Sequence, residues 1–252
     1  MATSMRTNIV ITGASSGLGA GMARAFAAKG RNVALCARRI DLLWQLRDEL
    51  LRAHPGIDVA VYELDVNNHD RVFTVFRAYQ ARAGSVDRVI VNAGLGKGQP
   101  IGIGRFDTNL QTAQTNFTAA LAQCEAAMEI FRAQNDGHLV AISSMRAMRG
   151  LPGELTTYAA SKAGLAALAE GIRADTLDTP IRVTTIYPGY IATAMSATST
   201  SAPMLTPLDK GVRAMVNAVE REPAEATVPS WPWTPIGFVR RHAPLRLLGR
   251  SS

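Results

Sequence analysis

Short apolar runs alternate with longer helical patterns along almost the whole chain, and this alternation constrains the fold more than any other feature. Runs rich in β-branched residues, such as 8–12 (NIVIT) and 32–37 (NVALCA), are typical of strands buried on both faces. The segments between them repeat apolar residues at three- and four-residue spacing, as in 42–53, which indicates amphipathic helices. Parallel strands need crossover connections, and these are right-handed. The sequence therefore predicts an α/β fold, with a single doubly wound, Rossmann-type parallel sheet and helices on both faces.

The other expected elements continue this alternation. Further strands are expected at 58–66, 86–94, 137–144, 181–189 and 226–229, and further helices at 17–30, 69–84, 107–133, 156–176 and 207–221. The chain contains no internal repeat and no low-complexity linker, so we expect one domain over 1–252. A stretch rich in Ser, Thr and Pro predicts a mobile loop within about 190–210, and a basic, aromatic tail is expected at 230–252.

Composition argues against several classes of protein. The 252 residues are 47% hydrophobic and 19% charged, which is ordinary for a globular domain. No apolar run approaches the roughly 18 residues of a membrane-spanning helix, and residues 1–10 lack the pattern of a signal peptide. The two cysteines, Cys36 and Cys124, form no CxxC pair, and the four histidines show no metal-ligand spacing. We therefore expect a cytoplasmic protein with reduced cysteines and no metal site.

The net charge of +7 raises nucleic-acid binding as an alternative. The arginines are, however, spread along the chain, and no basic patch is interleaved with aromatic residues. Four arginines lie near the end, where no acidic residue follows Glu225. A solvated basic tail accounts for this charge, so no nucleic-acid partner is expected.

The segment TGASSGLG (12–19) joins the first expected strand to the first expected helix. Gly13 permits a tight turn, Gly17 lets a pyrophosphate approach the backbone, and Gly19 lets the helix pack on the strand. The pattern therefore favours a dinucleotide-binding turn. The same letters also fit the GxSxG nucleophile elbow of hydrolases. That elbow needs earlier strands and a positioned histidine, whereas this turn follows the first strand and the last histidine, His242, lies in the tail, so we reject it.

The second expected strand ends in CARRID, which bears on the choice of cofactor. Sites for NAD place Asp or Glu about 20 residues past the glycine turn, where it binds the ribose 2′-hydroxyl. Arg38 and Arg39 stand there instead, and a guanidinium binds the 2′-phosphate that a carboxylate would repel. The sequence predicts NADP(H) rather than NAD(H), with Arg38 as the main contact. The alternative is that both arginines are merely exposed at the start of the next helix.

Tyr158 and Lys162 are four residues apart, so they share one face of a helix. A free phenol has a pKa of about 10, which makes it a poor base at neutral pH. An ammonium at ~4 Å attracts a phenolate by up to about 4 kcal/mol, so we expect Lys162 to lower the pKa of Tyr158 to roughly 7. A tyrosine tuned in this way protonates a carbonyl oxygen as hydride arrives, or takes the alcohol proton in reverse, while a serine holds the oxygen.

With these segments in one chain, residues 7–229 resemble the short-chain dehydrogenase/reductase family. The motifs follow the family's order and nearly its spacing: TGASSGLG (12–19), LDV (64–66), NAG (92–94), Asn116, ISS (142–144), YAASK (158–162) and PGYIAT (188–193). The resemblance implies an NADP(H)-dependent oxidoreductase that interconverts an aldehyde or ketone and an alcohol. It also implies a homodimer or homotetramer built on the helices at 107–133 and 156–176.

The resemblance assigns roles to individual residues. The implied catalytic residues are Asn116, Ser144, Tyr158 and Lys162, with Asn116 holding a water in a proton relay to Lys162. The expected cofactor contacts include the two arginines after the second strand. The full set is Gly13, Ser15, Ser16, Gly17, Leu18, Gly19, Arg38, Arg39, Asp65, Val66, Asn92, Ala93, Gly94, Tyr158, Lys162, Pro188, Gly189, Ile191 and Thr193. Within this set, Asp65 and Val66 would border the adenine, and Lys162 would bind the nicotinamide ribose.

Two adjacent serines compete for the catalytic position. The family usually places its serine thirteen residues before the tyrosine, whereas Ser144 stands fourteen and Ser143 fifteen before Tyr158. We assign the extra residue to the loop at 153–157, which can absorb it. Ser144 then keeps its place at the end of the strand. Ser143, which points to the opposite face by strand alternation, is expected to support the sheet.

The expected substrate wall is mostly apolar. It comprises residues from 145–155, 190–195 and the loop to Pro207, namely Met145, Met148, Leu151, Leu155, Tyr190 and Met195. Methionines adapt to irregular apolar shapes, which predicts a small apolar carbonyl or alcohol substrate. Arg146 and Arg149 offer an alternative, a salt bridge to a substrate carboxylate, but the preferred interpretation is that they point to solvent.

The tail combines apolar and aromatic residues with arginines. These are Trp231, Trp233, Phe238, Leu245, Leu247 and Leu248, with Arg240, Arg241, Arg246 and Arg250. One hypothesis is a peripheral membrane contact, with the aromatic side chains at the lipid headgroups. The preferred one is packing on a neighbouring subunit or over the pocket.

A rival function from another class is a non-catalytic regulator or scaffold that only binds a dinucleotide. The complete Asn, Ser, Tyr and Lys set argues against it, because a binder does not need all four. A sugar-nucleotide epimerase would need a longer substrate region than this chain has.

Overall fold

The computed structural model describes residues 5–96, 98–193, 205–242 and 244. Its strands are Asn8–Thr12 (β1), Asn32–Ala37 (β2), Val59–Glu63 (β3), Arg88–Val91 (β4), His138–Ile142 (β5), Arg182–Pro188 (β6) and Glu225–Val228 (β7). They form a sheet in the order β3-β2-β1-β4-β5-β6-β7, and every neighbouring pair is parallel. The winding direction reverses between β1 and β4, which confirms the predicted doubly wound sheet.

Helices cover both faces of this sheet. They are Gly17–Ala27 (α1), Ile40–Ala53 (α2), His69–Ala83 (α3), Phe106–Ala113 (α4), Ala119–Gln134 (α5), Thr156–Asp175 (α6), Leu208–Glu220 (α7) and Ser230–His242 (α8). Apolar side chains of α1, α2 and α7 pack on one face, and those of α3, α5 and α6 on the other. Strand alternation sends Ile9 and Ile11 into the first core and Val10 into the second. Burial on both faces explains why the strands read as continuous apolar runs.

The single helix expected at 107–133 is interrupted. A π-helical turn at Gln114–Thr118 separates α4 from α5, and it contains Asn116. Three strands also end two or three residues earlier than expected: β3 ends at Glu63, β4 at Val91 and β5 at Ile142. The residues that follow them turn away at the carboxyl edge of the sheet, which is where parallel α/β sheets bind ligands.

The first part of the expected tail is the helix α8, which packs beside β7 and the segment after β5. Trp233 is 2% exposed and lies in a small cluster with Met145 and Tyr187. It therefore cannot contact a membrane, whereas Trp231 and Phe238 are exposed. Leu245, Leu247, Leu248, Arg246 and Arg250 lie outside the described residues. Within the part of the chain that is described, no helix is long and apolar enough to cross a membrane.

A buried network of charges lies at the amino edge of the sheet. Arg88, 1% exposed, contacts Glu220 Oε1 at 2.8 Å and Glu222 Oε1 at 3.3 Å, and Arg6 contacts the same Glu222 oxygen at 2.9 Å. Arg88 Nε also donates to Nδ1 of the buried His138 at 2.8 Å. Burial, with the charges of Arg88 and Arg6, holds the pKa of His138 well below its usual value, so the ring is neutral and can accept this hydrogen bond.

Candidate active site

The glycine turn brings β1, β4 and α1 into direct contact. Gly13 has a φ of +66°, and a Cβ there would lie 2.9 Å from the Cα of Ala93. A Cβ on Gly19 would lie 2.3 Å from the carbonyl oxygen of Gly13, so no larger residue fits the start of α1. The residue before α1, Ser16, makes no side-chain capping bond, and the first turn holds no acidic residue. The N–H groups of that turn are therefore suited to an anion such as a pyrophosphate.

The two arginines after β2 lie beside this turn. Arg39 donates to Ser15 Oγ at 2.9 Å and to Ser16 Oγ at 2.6 Å, whereas Arg38 is exposed and forms no ion pair within the described residues. Of the two arginines, Arg39 is thus the one bonded to the glycine turn. Arg38, Arg39 and Ser15 all line the same cavity, and this combination of side chains suits a phosphate group.

Asn92 joins the ends of β1 and β4. Its amide nitrogen Nδ2 donates to the carbonyl of Thr12 at 2.9 Å, and the Thr12 hydroxyl accepts from the backbone N–H groups of Asn92 and Ala93 at 3.1 Å. A Cβ on Gly94 would lie 3.3 Å from Lys162 Nζ and 3.1 Å from Asn116 Oδ1. The NAG motif therefore braces the sheet and leaves room for the polar groups beside it.

Asn116 lies in the π-helical turn and is fully buried. Its Oδ1 accepts from the N–H of Leu95 at 2.7 Å, and its Nδ2 donates to the Leu95 carbonyl at 2.9 Å and to Ser161 Oγ at 3.2 Å. The side chain thus fixes the loop after β4 to α6. It stands behind the cavity wall, so its expected relay role stays a prediction.

Ser144 and Tyr158 meet through their hydroxyls, and the Ser144 side chain hydrogen-bonds to Tyr158. Ser144 Oγ also accepts from the N–H of Arg146 at 3.1 Å, which fixes the serine at the end of β5. Ser143 has a different role, because its hydroxyl donates to the Lys162 carbonyl at 2.8 Å and ties α6 to the sheet. The geometry agrees with the expected division between the two serines.

Lys162 is 5% exposed, and its Nζ donates to the Ile142 carbonyl at 2.8 Å. Burial lowers the pKa of its ammonium to about 8. The lysine therefore sits at the end of β5, one helical turn from Tyr158, and carries a charge that is costly to hold in the protein interior.

The expectation that Lys162 lowers the pKa of Tyr158 was wrong for this structure. Burial of the phenol raises its pKa, and the hydrogen bond from Ser144 and the charge of Arg146 offset this only in part. The Lys162 ammonium is directed at the Ile142 carbonyl instead. The cation that acts on Tyr158 is Arg146, which was expected to point to solvent; it is partly buried and borders the cavity.

A cavity of about 330 Å³ runs along the carboxyl edge of the sheet. Every expected cofactor contact lines it, from Gly13 to Thr193, and so do Ser144, Tyr158 and Lys162. Of the expected substrate wall, Met145 and Tyr190 line the cavity, Met148 packs behind them, Leu151 and Leu155 do not line it, and Met195 lies outside the described residues. The structure thus brings the sequence motifs into one site.

The sequence interpretation missed several lining residues. Asn67, Leu95 and Thr115 border the cavity. Trp233 and Arg240 of the tail border it too, which agrees with the preferred expectation that the tail packs over the pocket or on a neighbouring subunit. The first three follow strand or helix ends and carry no motif. The spacing of Trp233, Gly237 and Arg240 was a usable signal, because residues four and then three apart share one face of a helix. Within the described residues, no group of three or more His, Cys, Asp or Glu side chains forms a metal site.

Comparison with known proteins agrees with this geometry. A family model for short chain dehydrogenases matches residues 7–203. A protein of Mycobacterium tuberculosis described as an uncharacterized oxidoreductase is 51% identical over 245 residues, which is 97% of each chain. An uncharacterized oxidoreductase of Myxococcus xanthus is 38% identical over 231 residues, covering 91% of this chain and 88% of the relative.

A similar solved structure is an alcohol dehydrogenase from the archaeon Thermococcus sibiricus, complexed with 5-hydroxy-NADP. It superposes with a TM-score of 0.79 at 25% identity, covering 89% of this chain and 97% of that one. The chain belongs to the short-chain dehydrogenase family and is an oxidoreductase of that family. The family binds a nicotinamide dinucleotide.

Proposed function

We propose that the protein is an NADP(H)-dependent oxidoreductase that interconverts an aldehyde or ketone and the corresponding alcohol. The observation that carries the proposal is the meeting of the Ser144 and Tyr158 hydroxyls beside Lys162 in the cavity that the glycine turn also lines. A hydroxyl pair of this kind binds one substrate oxygen and exchanges one proton with it.

The residues at the other end of the cavity fit a dinucleotide. The uncapped first turn of α1 would hold the pyrophosphate, and Asp65 and Val66 would border the adenine. Arg38, Arg39 and the Ser15 hydroxyl would bind a 2′-phosphate, which supports NADP(H) over NAD(H). Arg38 remains the proposed main contact, because its guanidinium forms no ion pair within the described residues and Arg39 already bonds to the serines.

When bound, the nicotinamide supplies or accepts the hydride. The chain's own residues handle the substrate oxygen and its proton. The Ser144 hydroxyl holds the oxygen, and the Tyr158 O–H donates its proton to it in reduction or, as phenolate, takes the proton back in oxidation. Lys162 would bind the nicotinamide ribose, and Asn116 would hold a water that returns a proton through Lys162.

The raised pKa of Tyr158 favours reduction of the carbonyl over oxidation of the alcohol at neutral pH. A phenol with a pKa above its usual value of about 10 is protonated at pH 7, so it is ready to act as an acid. Reduction therefore runs at neutral pH and declines as the pH rises through the pKa of Tyr158. Oxidation needs the phenolate and increases over the same range.

The wall beside Ser144 and Tyr158 is largely apolar. Met145, Tyr190 and Trp233 line it, and Trp233 packs edge-on against Tyr190 with ring centroids 5.1 Å apart. This surface suits the apolar part of a small carbonyl or alcohol substrate. We further propose a homodimer or homotetramer, because Phe106 and Leu110, four residues apart on α4, and Phe117 of the π-helical turn are exposed. We also propose a cytoplasmic location, since Cys36 and Cys124 are free thiols.

The decisive experiment is titration of the purified protein with NADPH and NADH, followed through quenching of tryptophan fluorescence. Tight NADPH binding with weak NADH binding supports the proposal. Arg38→Ala should weaken NADPH binding about 10- to 100-fold and leave NADH unchanged, because a charge-assisted contact to the 2′-phosphate is lost. Arg47→Ala is the matched control, because Arg47 lies on α2 and is not part of the cavity wall. Equal affinities for the two cofactors would overturn the cofactor preference.

The scaffold alternative is tested with Tyr158→Phe. Removing the proton donor should lower NADPH-dependent reduction of an aldehyde panel about 100- to 10,000-fold, while the variant still binds NADPH. A wild-type protein that binds NADPH but turns over no aldehyde or ketone would instead favour a dinucleotide-binding scaffold.

A further inference from the structure

Two arginines from different parts of the chain meet at Tyr190. Arg146 follows Ser144 by two residues, and its guanidinium carbon lies 5.1 Å from the centroid of the Tyr190 ring. Arg240 lies in the last turn of α8 and reaches the same tyrosine. Burial alone would raise the pKa of Tyr190, but the two guanidiniums interact with its hydroxyl and lower that pKa below its usual value. Both arginines line the cavity.

Neither arginine has a carboxylate partner within the described residues. Arg146 Nε is buried and lacks a hydrogen-bond partner there. A buried donor without a partner is unfavourable, and so is the approach of two like charges to one phenol. An anion bound between the two guanidiniums would relieve both costs.

These two arginines lie at the reacting end of the cavity. Arg38 and Arg39 follow β2, whereas Arg146 follows β5, and the strand order separates β2 from β5 by three steps. At about 4.8 Å a step, the ends of β2 and β5 are roughly 14 Å apart across the sheet. Arg146 acts directly on Tyr158, so this second pair faces the substrate rather than the adenosine phosphate.

We propose that the substrate carries an anionic group that Arg146 and Arg240 bind while its carbonyl oxygen lies between Ser144 and Tyr158. This inference rests on the proposed function and narrows its substrate class to anionic carbonyl compounds and hydroxy acids with an apolar middle. Guanidiniums bind a carboxylate or a phosphate with paired hydrogen bonds, and the apolar wall of Met145 and Trp233 accepts the carbon chain between the two ends.

The test compares aldehydes that differ only in charge. The probes are 4-carboxybenzaldehyde, its methyl ester and 4-formylphenyl phosphate, each reduced with NADPH. Wild-type enzyme should prefer an anionic probe over the ester by roughly 10- to 100-fold in kcat/KM, the effect expected of a charge-assisted bidentate contact. The two anionic probes distinguish carboxylate from phosphate.

Arg240→Ala should abolish this preference by raising the KM for the anionic probe, while the kcat for that probe changes little because Arg240 is not among the groups that act on Tyr158. Arg241→Ala is the matched control, because Arg241 is exposed, adjacent in sequence and absent from the cavity wall. Affinity for NADPH is measured on all three proteins. If Arg240→Ala lost as much affinity for NADPH as for the anionic probe, the arginines would be assigned to the cofactor and the inference would be overturned.

Binding of the probes to the NADP⁺-saturated enzyme, measured by calorimetry, separates this inference from the proposed function. Turnover of the ester without preferential binding of either anion overturns the inference and leaves the reaction standing. Arg240-dependent anion binding without turnover of any probe supports the inference and contradicts the proposed reaction. Failure of both anions to bind overturns the inference whatever the turnover.

Discussion

The two edges of the sheet use the same residue type in opposite ways. At the amino edge, Arg6 and Arg88 are buried, and each contacts a carboxylate. At the carboxyl edge, Arg38, Arg146 and Arg240 line a cavity, and none of them forms an ion pair within the described residues. Charges that the protein pairs internally hold the fold together, whereas charges it leaves unpaired remain to bind a ligand. The net charge of +7 thus says less about ligand binding than does the distinction between arginines with and without a carboxylate partner.

The largest expected effect on stability comes from breaking the amino-edge network. Glu222→Gln removes the carboxylate charge that Arg6 and Arg88 share, so these two buried guanidiniums each keep a single carboxylate partner, Asp136 and Glu220 respectively. We expect the free energy of unfolding to fall by about 3–5 kcal/mol, with NADPH affinity of the folded protein unchanged. Urea denaturation monitored by circular dichroism measures the change.

A surface pair serves as the control for that variant. Asp48 contacts the neighbouring Arg47 on the exposed side of α2, and Asp48→Asn should cost less than about 1 kcal/mol. If Glu222→Gln were equally mild, the amino-edge charges would not be what stabilises this end of the sheet.

At the carboxyl edge we expect the removal of a buried charge to raise the free energy of unfolding rather than lower it. Lys162→Met removes a buried ammonium whose pKa is lowered to about 8, and it should raise the free energy of unfolding at pH 7 by roughly 1–3 kcal/mol while abolishing activity. Between pH 8 and the unfolded pKa of about 10.4, only the unfolded wild type keeps this proton. The wild type therefore gains stability as the pH rises through that window, and the advantage of methionine disappears.

Thermal unfolding of both proteins across pH 7 to 10 measures this difference. A wild type that is more stable than Lys162→Met at pH 7 would mean that the bond to Ile142 outweighs the cost of burying the charge. In that case buried charges would stabilise the fold at both edges of the sheet.

The smallest effect separates the adjacent serines. Ser143→Ala loses one buried hydrogen bond to the Lys162 carbonyl and should cost about 1 kcal/mol of stability with activity retained. Ser144→Ala should lose activity about 100-fold, since it removes the hydroxyl that positions the substrate oxygen, and should cost a similar ~1 kcal/mol of stability because the Arg146 N–H loses its acceptor. Steady-state kinetics and thermal unfolding on the same samples decide between them, and the reverse pattern would exchange the assigned roles.

Local pattern sufficed to predict the sheet and the motifs. Continuous apolar runs indicate strands that are buried on both faces. The glycine turn and the pair of Tyr158 and Lys162 are recognised from residue spacing in the sequence. No sequence pattern predicted the π-helical turn around Asn116, because one widened turn does not alter the apolar periodicity of the helices on either side.

Features that depend on contacts between distant residues escaped prediction. The amino-edge network joins residues as far apart in sequence as Arg6 and Glu222, which no local spacing reveals. The raised pKa of Tyr158 depends on burial and on where Lys162 points, and both are set by packing rather than by the four-residue spacing. The place of Arg240 beside Tyr190 follows from the docking of α8, which the composition of the tail did not show.

The attachment of α8 has a consequence for engineering. The sheet is complete at Val228, and α8 starts at Ser230, so the helix adds a wall to the cavity without taking part in the strand pairing. Trp233 packs on Gly189, and Gly237 lies against Met145. Under the proposed function, part of the substrate wall is thus separate in the chain from the hydride-transfer residues, and exchanging residues 230–242 for those of a relative should change which substrates the enzyme accepts.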